Sequence, residues 1–323
     1  MSRLALTNFE EPGVTRRRIG KRFGYFTAQG ERITDEEEIA RFDAIALPPA
    51  YIDCWFNPDP NGHIQATGID ARGRKQYRYH PRFRERREAR KFELCGRFGG
   101  QLPALRKAVR EDLARRGFCK EKAVACTLAL LDLGAMRIGN EHYQKNNRTH
   151  GATTLLKRHV KVRGKTVRLR YRGKGGKLRE VSISDRSLAR LVRRMHDLPG
   201  QRLFQYRDEE GEWRAIGSSD VNAFIHEVAG EKFSAKDFRT WHASALALDF
   251  LARTDGPTTL KSLCEHVAEH LGNTPATTRK SYIHPAVIAL AESGGGAEAI
   301  HGVRRTQSMS RAERALLRVL GAA

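Results

Sequence analysis

The spacing of the apolar residues changes near residue 82, and this change constrains the fold more than any other feature of the sequence. Before it, short apolar runs end at turn residues, as in RFGYFTAQG, YIDCWFNPDPNG and RKQYRYH, which is typical of short strands. After it, apolar residues recur every three or four positions, as in LPALRKAVREDLARRG, which indicates helices. A chain of 323 residues is long enough for two domains. We therefore predict a β-rich N-terminal domain over residues 1–90 and a mainly helical domain over residues 91–323.

Each predicted domain contains one element of the other type. In the first, TDEEEIARFDAI begins with Thr34 and has Glu37 three residues later, which is the capping-box pattern of a helix start. In the second, VRLRY alternates apolar residues with arginines and GKGGK supplies a turn, so we predict a three-stranded β insert within residues 154–184. The predicted class is α+β. Near the C-terminus, SGGG predicts a flexible segment, and the amphipathic RAERALLRVL predicts either a packing helix or a mobile cap.

The charge of the chain indicates a polyanionic partner. The 59 Lys and Arg residues exceed the 37 Asp and Glu residues, which gives a formal net charge of +22. This charge is concentrated, because residues 71–91 contain ten basic and two acidic residues, and residues 157–179 contain eleven basic and no acidic residues. Runs of one sign in both predicted domains indicate two surfaces that grip one polyanion, and nucleic acid is favoured over a membrane.

The first basic run contains RKQYRYH, which we interpret as a DNA-contacting element. Gln76 can hydrogen-bond the edge of a base, and the rings of Tyr77 and Tyr79 can pack against a sugar or a base. The same residues could instead form an ordinary amphipathic strand with the tyrosines on its core side. Both interpretations place the segment in a strand.

The sequence contains no pattern typical of a metal, nucleotide or disulfide site. Its five cysteines are odd in number and form no CxxC pair, and its twelve histidines show neither HExxH nor HxH spacing. The GKT and GKGGK segments do not match a phosphate-binding loop, because His159 stands where the first glycine is needed and Leu178 follows Lys177. No run of about 18 apolar residues occurs. We therefore expect no metal, no cofactor, no membrane segment and a reducing cytoplasmic location.

Four segments of the second predicted domain follow one another as GAMRIGNEHY, RYRGKGGK, KDFRTWHAS and LGNTPATTRKSYIHP. In this order they resemble the catalytic segments of type IB DNA topoisomerases of the bacterial and poxvirus kind. IQATGIDARGRKQYRYH resembles the N-terminal DNA-contacting segment of that family, so the resemblance extends from about residue 20 to residue 290. It implies two lobes that form a clamp around double-stranded DNA, and it implies a monomer.

The resemblance implies a role for each catalytic candidate. Tyr282 matches the nucleophile, and Arg137 and Arg239 match the pair that binds the scissile phosphate. Lys174 matches the general acid. This division is chemically sensible, because planar guanidinium groups bind the oxygens of a pentacoordinate phosphate in bidentate fashion, whereas a lysine ammonium can donate a proton. Taken alone, Tyr282 could be a half-buried helix tyrosine and Arg137 a cation at a helix C-terminus.

The fifth catalytic candidate, Asn273, departs from the commonest family pattern, in which a histidine stands nine residues before the tyrosine. An amide can donate a hydrogen bond to a phosphate oxygen but carries no charge. Thr274 followed by Pro275 is a favourable helix start. The spacing predicts Asn273 just before a helix, Tyr282 about two turns along it and Pro285 at its end.

Two further residues complete the predicted DNA contacts. Lys236, three residues before Arg239, resembles a basic residue that assists proton transfer in the family, and Tyr143 lies at the end of GAMRIGNEHY. We assign both to DNA contact, together with Gln76, Tyr77 and Tyr79.

The resemblance implies an enzyme that cleaves one DNA strand, holds the 3′ phosphate on Tyr282, lets the duplex rotate and religates without ATP or a metal. Such an enzyme relaxes supercoiled DNA, and we expect it in the cytoplasm, associated with the nucleoid. A tyrosine recombinase is the alternative, because it shares the catalytic fold and the attack chemistry. Lys236 weighs against it, since recombinases usually have histidine there, and so does the β-rich N-terminal part. A DNA-binding protein without activity would explain the charge but not the ordered Arg, Lys, Arg and Tyr residues.

Overall fold

The computed structural model describes residues 3–254 and 258–322, except for the side chain of Tyr143. The chain divides into two compact units, residues 1–91 and residues 92–323. Each unit has a hydrophobic core of its own.

The first unit is built on a five-stranded antiparallel sheet with the strand order β2-β1-β3-β4-β5. Its elements are β1 (Val14–Ile19), β2 (Arg22–Phe26), α1 (Glu36–Ala44), β3 (Ile52–Phe56), β4 (Ile64–Ile69) and β5 (Lys75–Tyr79). Aromatic residues form the contact between α1 and the sheet, because the ring of Phe42 lies 5.0 Å from that of Tyr25 and 5.5 Å from that of Phe56. The β-rich N-terminal part predicted from the sequence is confirmed.

Helix α1 begins one residue later than its capping pattern predicts. The carboxylate of Asp35 accepts a hydrogen bond from the backbone nitrogen of Glu38, so Asp35 rather than Thr34 is the N-cap. An aspartate is at least as good a cap as a threonine, and its negative charge interacts favourably with the positive end of the helix dipole.

The second unit is mainly helical, and helix α2 begins before its boundary. The helices are α2 (Pro81–Ala114), α3 (Lys120–Gly134), α4 (Glu141–Asn147), α5 (Arg186–His196), α6 (Ser218–Ala229), α7 (Ala235–Arg253), α8 (Leu260–Leu271), α9 (Pro275–Ser281), α10 (Pro285–Ser293), α11 (Gly296–Ile300) and α12 (Arg311–Val319). Among the described residues, none of the helices combines the length and the apolar character that crossing a bilayer requires.

The predicted three-stranded insert is present between α4 and α5. Its strands are β6 (Val160–Arg163), β7 (Thr166–Arg172) and β8 (Leu178–Ser184), with β7 in the centre and both pairings antiparallel. Val167, Leu169 and Tyr171 are buried while the arginines between them are exposed, so the sheet packs one face on the core. A two-stranded ribbon, β9 (Gln205–Arg207) and β10 (Trp213–Ala215), was not predicted.

Helix α7 forms the centre of the core and is held by neighbours on both sides. Its Trp241 is fully buried, and a Cβ atom at Gly99 of α2 would lie 2.1 Å from the Trp241 ring, so only glycine permits this approach. The indole nitrogen of Trp241 donates to Glu313 of α12 at 3.1 Å, and Arg106 of α2 donates to the same carboxylate at 2.7 Å. The C-terminal helix is therefore a packed element of the core and not a mobile cap.

The predicted flexible SGGG segment is a short link between two helices. Ser293 ends α10, Gly294 adopts a left-handed conformation with φ of 74°, and Gly296 begins α11. A Cβ atom at Gly296 would lie 2.5 Å from the Cβ atom of Leu251, so this glycine allows α11 to pack closely on α7.

Candidate active site

Arg239 and Tyr282 lie next to each other in the second unit, where Arg239 is buried and Tyr282 is half-buried. Arg239 lies in α7 and is only 4% exposed, and its guanidinium carbon is 5.2 Å from the centre of the Tyr282 ring. Its Nη1 atom donates to the carbonyl oxygen of Ala135, and its Nη2 atom donates to that of Leu271 at 3.0 Å. Its buried Nε atom has no hydrogen-bond partner among the described residues. Two backbone carbonyls thus fix the guanidinium and leave a donor for another acceptor.

Asn273 joins the two arginines. Its Oδ1 atom accepts from Nη2 of Arg137 at 2.6 Å and lies 3.4 Å from Nη2 of Arg239, which also donates to it. An arginine has only donors, so the oxygen of the amide must face both guanidinium groups and the nitrogen must point elsewhere. That nitrogen, Nδ2, is buried and has no hydrogen-bond partner in the part of the chain that the structure describes. Asn273 therefore offers a hydrogen-bond donor beside two cations.

Arg137 is positioned by the turn that follows α3. Ala135 adopts a left-handed conformation with φ of 45°, which ends the helix and redirects the chain. The carbonyl oxygen of Arg137 then accepts from the backbone nitrogen of Ala152 at 2.9 Å. A Cβ atom at Gly151 would lie 2.6 Å from the carbonyl oxygen of Arg137, so glycine is needed where the two segments meet.

Helix α9 positions Tyr282 relative to Asn273. Thr274 caps the helix by accepting from the backbone nitrogen of Thr277, Asn273 immediately precedes this cap, and Tyr282 is the C-cap residue. The predicted helix start is therefore present, with the tyrosine two turns along. The prediction for Pro285 was wrong: this residue begins α10, because proline is well tolerated at the first position of a helix, and α9 has already ended at Ser281.

The charges of the site shift two pKa values. Burial raises the pKa of Tyr282, but the positive charges of Arg239 and Arg137 outweigh it, so the pKa lies below its ordinary value. Burial and the charge of Arg137 lower the pKa of Arg239 to about 10, although Tyr282 opposes this shift. Two guanidinium groups are thus crowded together, and an anion bound between them would relieve their repulsion.

Lys174 and Lys236 lie at the surface. Lys174 begins the turn between β7 and β8, where Gly175 and Gly176 both have φ of 75°, and its side chain is exposed. Lys236 is exposed in the first turn of α7, three residues before Arg239. Among the described residues, no hydrogen bond or ion pair connects either lysine to Tyr282. The structure therefore brings together Arg137, Arg239, Asn273 and Tyr282 without the two lysines.

Comparison with known proteins identifies the family. Residues 80–296 match the family model described as eukaryotic DNA topoisomerase I, catalytic core, and residues 22–70 match that described as bacterial DNA topoisomerase IB, N-terminal domain. The DNA topoisomerase 1B of Acanthamoeba polyphaga mimivirus is 30% identical over 285 residues, which cover 84% of this chain and 85% of that protein. The chain belongs to the type IB DNA topoisomerase family. It is accordingly a DNA-binding isomerase that relaxes supercoiled DNA.

Two solved recombinase structures are more distantly similar to this type IB topoisomerase. They are XerH site-specific recombinase with palindromic difH substrate after cleavage, and with difH substrate before cleavage. The TM-score is 0.39 for both, with 19% and 18% sequence identity over 59% and 60% of this chain. The matched part spans 50% and 52% of those recombinase chains.

The predicted DNA-contacting residues of the first unit, Gln76, Tyr77 and Tyr79, lie in strand β5. Tyr77 of β5 is 42% exposed, and its ring lies 6.3 Å from that of Tyr79 at an interplanar angle of 22°. Gln76 donates through Nε2 to Asp70 at 3.0 Å, so its amide nitrogen is engaged. The backbone of Tyr143 lies in α4, and its side chain lies outside the described residues.

Arg179 of β8 lies beside the site and was not predicted from the sequence. Its Nη2 atom donates to the carbonyl oxygen of His270 at 2.8 Å and its Nη1 atom to that of Glu269 at 3.4 Å. Arg179 appeared only as the last member of a basic run. Its alternation with the apolar Val181 and Ile183 was the signal that it points inward with them.

Proposed function

We propose that this topoisomerase cleaves one strand of duplex DNA with Tyr282 as the nucleophile. The observation that supports the proposal is the convergence of Arg137, Arg239 and Asn273 at this tyrosine. These residues come from segments far apart in the chain. The amide oxygen of Asn273 accepts hydrogen bonds from both arginines, and the ring of Tyr282 lies beside Arg239. A group of cations around a tyrosine suits attack on a phosphodiester, because the phosphate becomes more negative in the transition state.

In the proposed cleavage step, the phenolic oxygen of Tyr282 forms a bond to phosphorus, and the bond between phosphorus and the 5′ oxygen of the next nucleotide breaks. The phenolic proton is released to water, and the ammonium group of Lys174 gives a proton to the departing 5′ oxygen. The reverse step rejoins the strand after the duplex has rotated. Because a phosphotyrosine bond replaces the phosphodiester, no ATP is needed.

The buried donors of the site would stabilise this transition state. Nε of Arg239 and Nδ2 of Asn273 have no partner among the described residues, and the nonbridging oxygens of the scissile phosphate would accept from them. In a buried site one such donor is typically worth a factor of about 100 to 1,000 in rate. The two guanidinium groups would supply the positive charge that a metal ion supplies in other phosphoryl-transfer enzymes.

The exposed lysines would act only once DNA is bound. Lys174 lies in the turn between β7 and β8, and the glycines of this turn have no side chains. The turn is therefore narrow, which suits entry of the Lys174 side chain into the minor groove. Lys236 would assist the proton transfer from the start of α7. The remaining predicted contacts, Gln76, Tyr77, Tyr79 and Tyr143, would position the duplex. We further propose that one copy of the chain suffices and that it acts in the cytoplasm at the nucleoid.

The test is relaxation of supercoiled plasmid in EDTA without ATP, by the wild type and by Tyr282→Phe. We expect relaxation by the wild type and none by the variant. Strand exchange between two duplexes would instead indicate the recombinase alternative, and binding without cleavage would indicate a protein without this activity. A relaxation rate per molecule that rises with protein concentration would contradict a single acting copy.

A further inference from the structure

The β7–β8 hairpin carries Lys174 in its turn and Arg179 in strand β8. The side chain of Arg179 projects from one face of the hairpin, and the exposed arginines of β7 project from the other. Arg179 is the Cα partner of Tyr171 across the hairpin, and directly opposed residues project to the same face. Tyr171 is buried, so Arg179 points inward, whereas Arg170 and Arg172 are exposed. The arginine lies five residues after Lys174, at the base of the turn that presents this lysine.

The guanidinium group of Arg179 is bound to the carboxyl end of helix α8. It donates to the carbonyl oxygens of Glu269 and His270, while Arg239 donates to that of Leu271. These are among the last carbonyls of the helix, which lack partners within it, and cations are favoured at this end of the helix dipole. Arg179 of the hairpin and Arg239 of the site therefore bind consecutive carbonyls of the same helix end.

Two glycines leave space for the Arg179 side chain. A Cβ atom at Gly272, which follows α8 and directly precedes Asn273, would lie 2.0 Å from Nη1 of Arg179. A Cβ atom at Gly173, which directly precedes Lys174, would lie 3.0 Å from Cγ of the same arginine. The arginine thus fits between the residue before Lys174 and the residue before Asn273.

We propose that Arg179 is a positioning residue that holds the Lys174 hairpin in register with the scissile phosphate. Both of its Nη atoms bind backbone carbonyls, so it acts through the hairpin and not on the phosphate. The segment after α8 has further support, because the backbone nitrogen of Asn273 donates to Ala268 at 3.0 Å and Arg239 binds Leu271. Loss of Arg179 should therefore release the hairpin more than it disturbs Asn273. This inference rests on the proposed role of Lys174 as general acid.

The experiment measures single-turnover cleavage at saturating protein on two DNA substrates. One substrate has an ordinary scissile phosphodiester. The other has sulfur in place of the 5′ bridging oxygen, and this sulfur leaves without being protonated. Arg179→Ala should slow cleavage of the ordinary substrate about 10- to 100-fold, because small misplacements of a catalytic group cost this much. Most of that loss should disappear on the sulfur substrate.

Three further variants complete the design. Arg179→Lys keeps the charge but loses the forked pair of donors, so it should be intermediate, and its melting temperature should remain near that of the wild type. Arg214→Ala is the matched control, because Arg214 is an exposed arginine of strand β10 that lies outside both basic runs and pairs with Asp208 at 2.7 Å; its rates should match the wild type on both substrates. Lys174→Ala tests the general acid itself and should be slow on the ordinary substrate and restored on the sulfur substrate.

The outcomes separate the two proposals. The sulfur substrate could restore the cleavage rate of Lys174→Ala while Arg179→Ala cleaves both substrates equally slowly, or cleaves both at the wild-type rate. In either case the positioning role of Arg179 is wrong, and Lys174 remains the general acid. If Lys174→Ala is not restored, the general-acid assignment is wrong and the positioning role is overturned with it. Restoration of the cleavage rate of Lys174→Ala and of Arg179→Ala on the sulfur substrate, with wild-type rates for Arg214→Ala, supports both proposals.

Discussion

The carboxamide oxygen of Asn273 lies 2.6 Å from Nη2 of Arg137, so the segment after helix α8 is bound to the segment after helix α3. This hydrogen bond fixes which way the amide faces. With its oxygen turned to the arginines, the nitrogen is left as a buried donor without a partner among the described residues. The position that commonly holds histidine in the family can thus still donate a hydrogen bond.

Asn273→Ala should slow cleavage about 100- to 1,000-fold, comparable to removal of one donor from an oxyanion site. Asn273→His should remain active, because an imidazole can also donate. The measurement is the single-turnover cleavage rate of both variants beside the wild type. Cleavage by Asn273→Ala at the wild-type rate would mean that Asn273 donates no hydrogen bond to the scissile phosphate and serves only as an acceptor for Arg137 and Arg239.

Tyr282→Phe should bind DNA nearly as well as the wild type and form no covalent adduct, because only the attacking oxygen is removed. Adducts are detected on a denaturing gel after incubation with labelled DNA. Tyr206→Phe, a half-buried tyrosine of β9, serves as the control and should still form the adduct. An adduct that persists in Tyr282→Phe would show that another residue is the nucleophile.

Arg137→Ala should raise the pKa of Tyr282, because the charge of Arg137 is one of the causes that lower it. The loss of tyrosine protons can be followed by ultraviolet absorbance in the free protein, with Tyr282→Phe subtracted to isolate this residue. In the wild type the difference should titrate below the ordinary tyrosine pKa of about 10, and in Arg137→Ala it should move to higher pH. Equal titration in both proteins would contradict the assigned electrostatics.

Glu313→Ala should lower the free energy of unfolding by about 3 kcal/mol, because it leaves Arg106 and Trp241 without their shared acceptor in the core. Glu111→Ala removes an exposed carboxylate 3.9 Å from Lys107 and should cost less than about 1 kcal/mol. Denaturant unfolding of both variants makes the comparison. Similar losses would mean that the buried network contributes little.

The same network predicts a loss of stability in acid. Burial raises the pKa of Glu313 and of Asp132, but hydrogen bonds from Arg106 outweigh it, so both folded pKa values are depressed. A depressed carboxylate contributes stability that is present above its unfolded pKa, about 4, and is lost as the pH falls through the folded value. In Glu313→Ala the unfolding free energy should therefore decline less steeply below pH 4 than in the wild type.

The sequence by itself determined the features that depend on neighbouring residues. Apolar spacing predicted the β-rich first part, the helices and the three-stranded insert, because the periods of strands and helices are local properties. Thr274 and Pro275 predicted the helix that carries Tyr282 for the same reason. The ordered motifs also sufficed to recognise the family, since the chemistry of the site requires particular residue types.

Only the tertiary structure decided which distant groups touch. Whether Asn273 turns its oxygen or its nitrogen to the site depends on Arg137, which lies 136 positions away in the chain. In the sequence Arg179 was only the last residue of a basic run, and the register of β7 and β8 and the end of α8 gave it its partners. The C-terminal helix α12 belongs to the core because Arg106 and Trp241 donate hydrogen bonds to its Glu313. A hydrogen bond between distant residues depends on where the packed elements place both partners, and no local pattern contains that information.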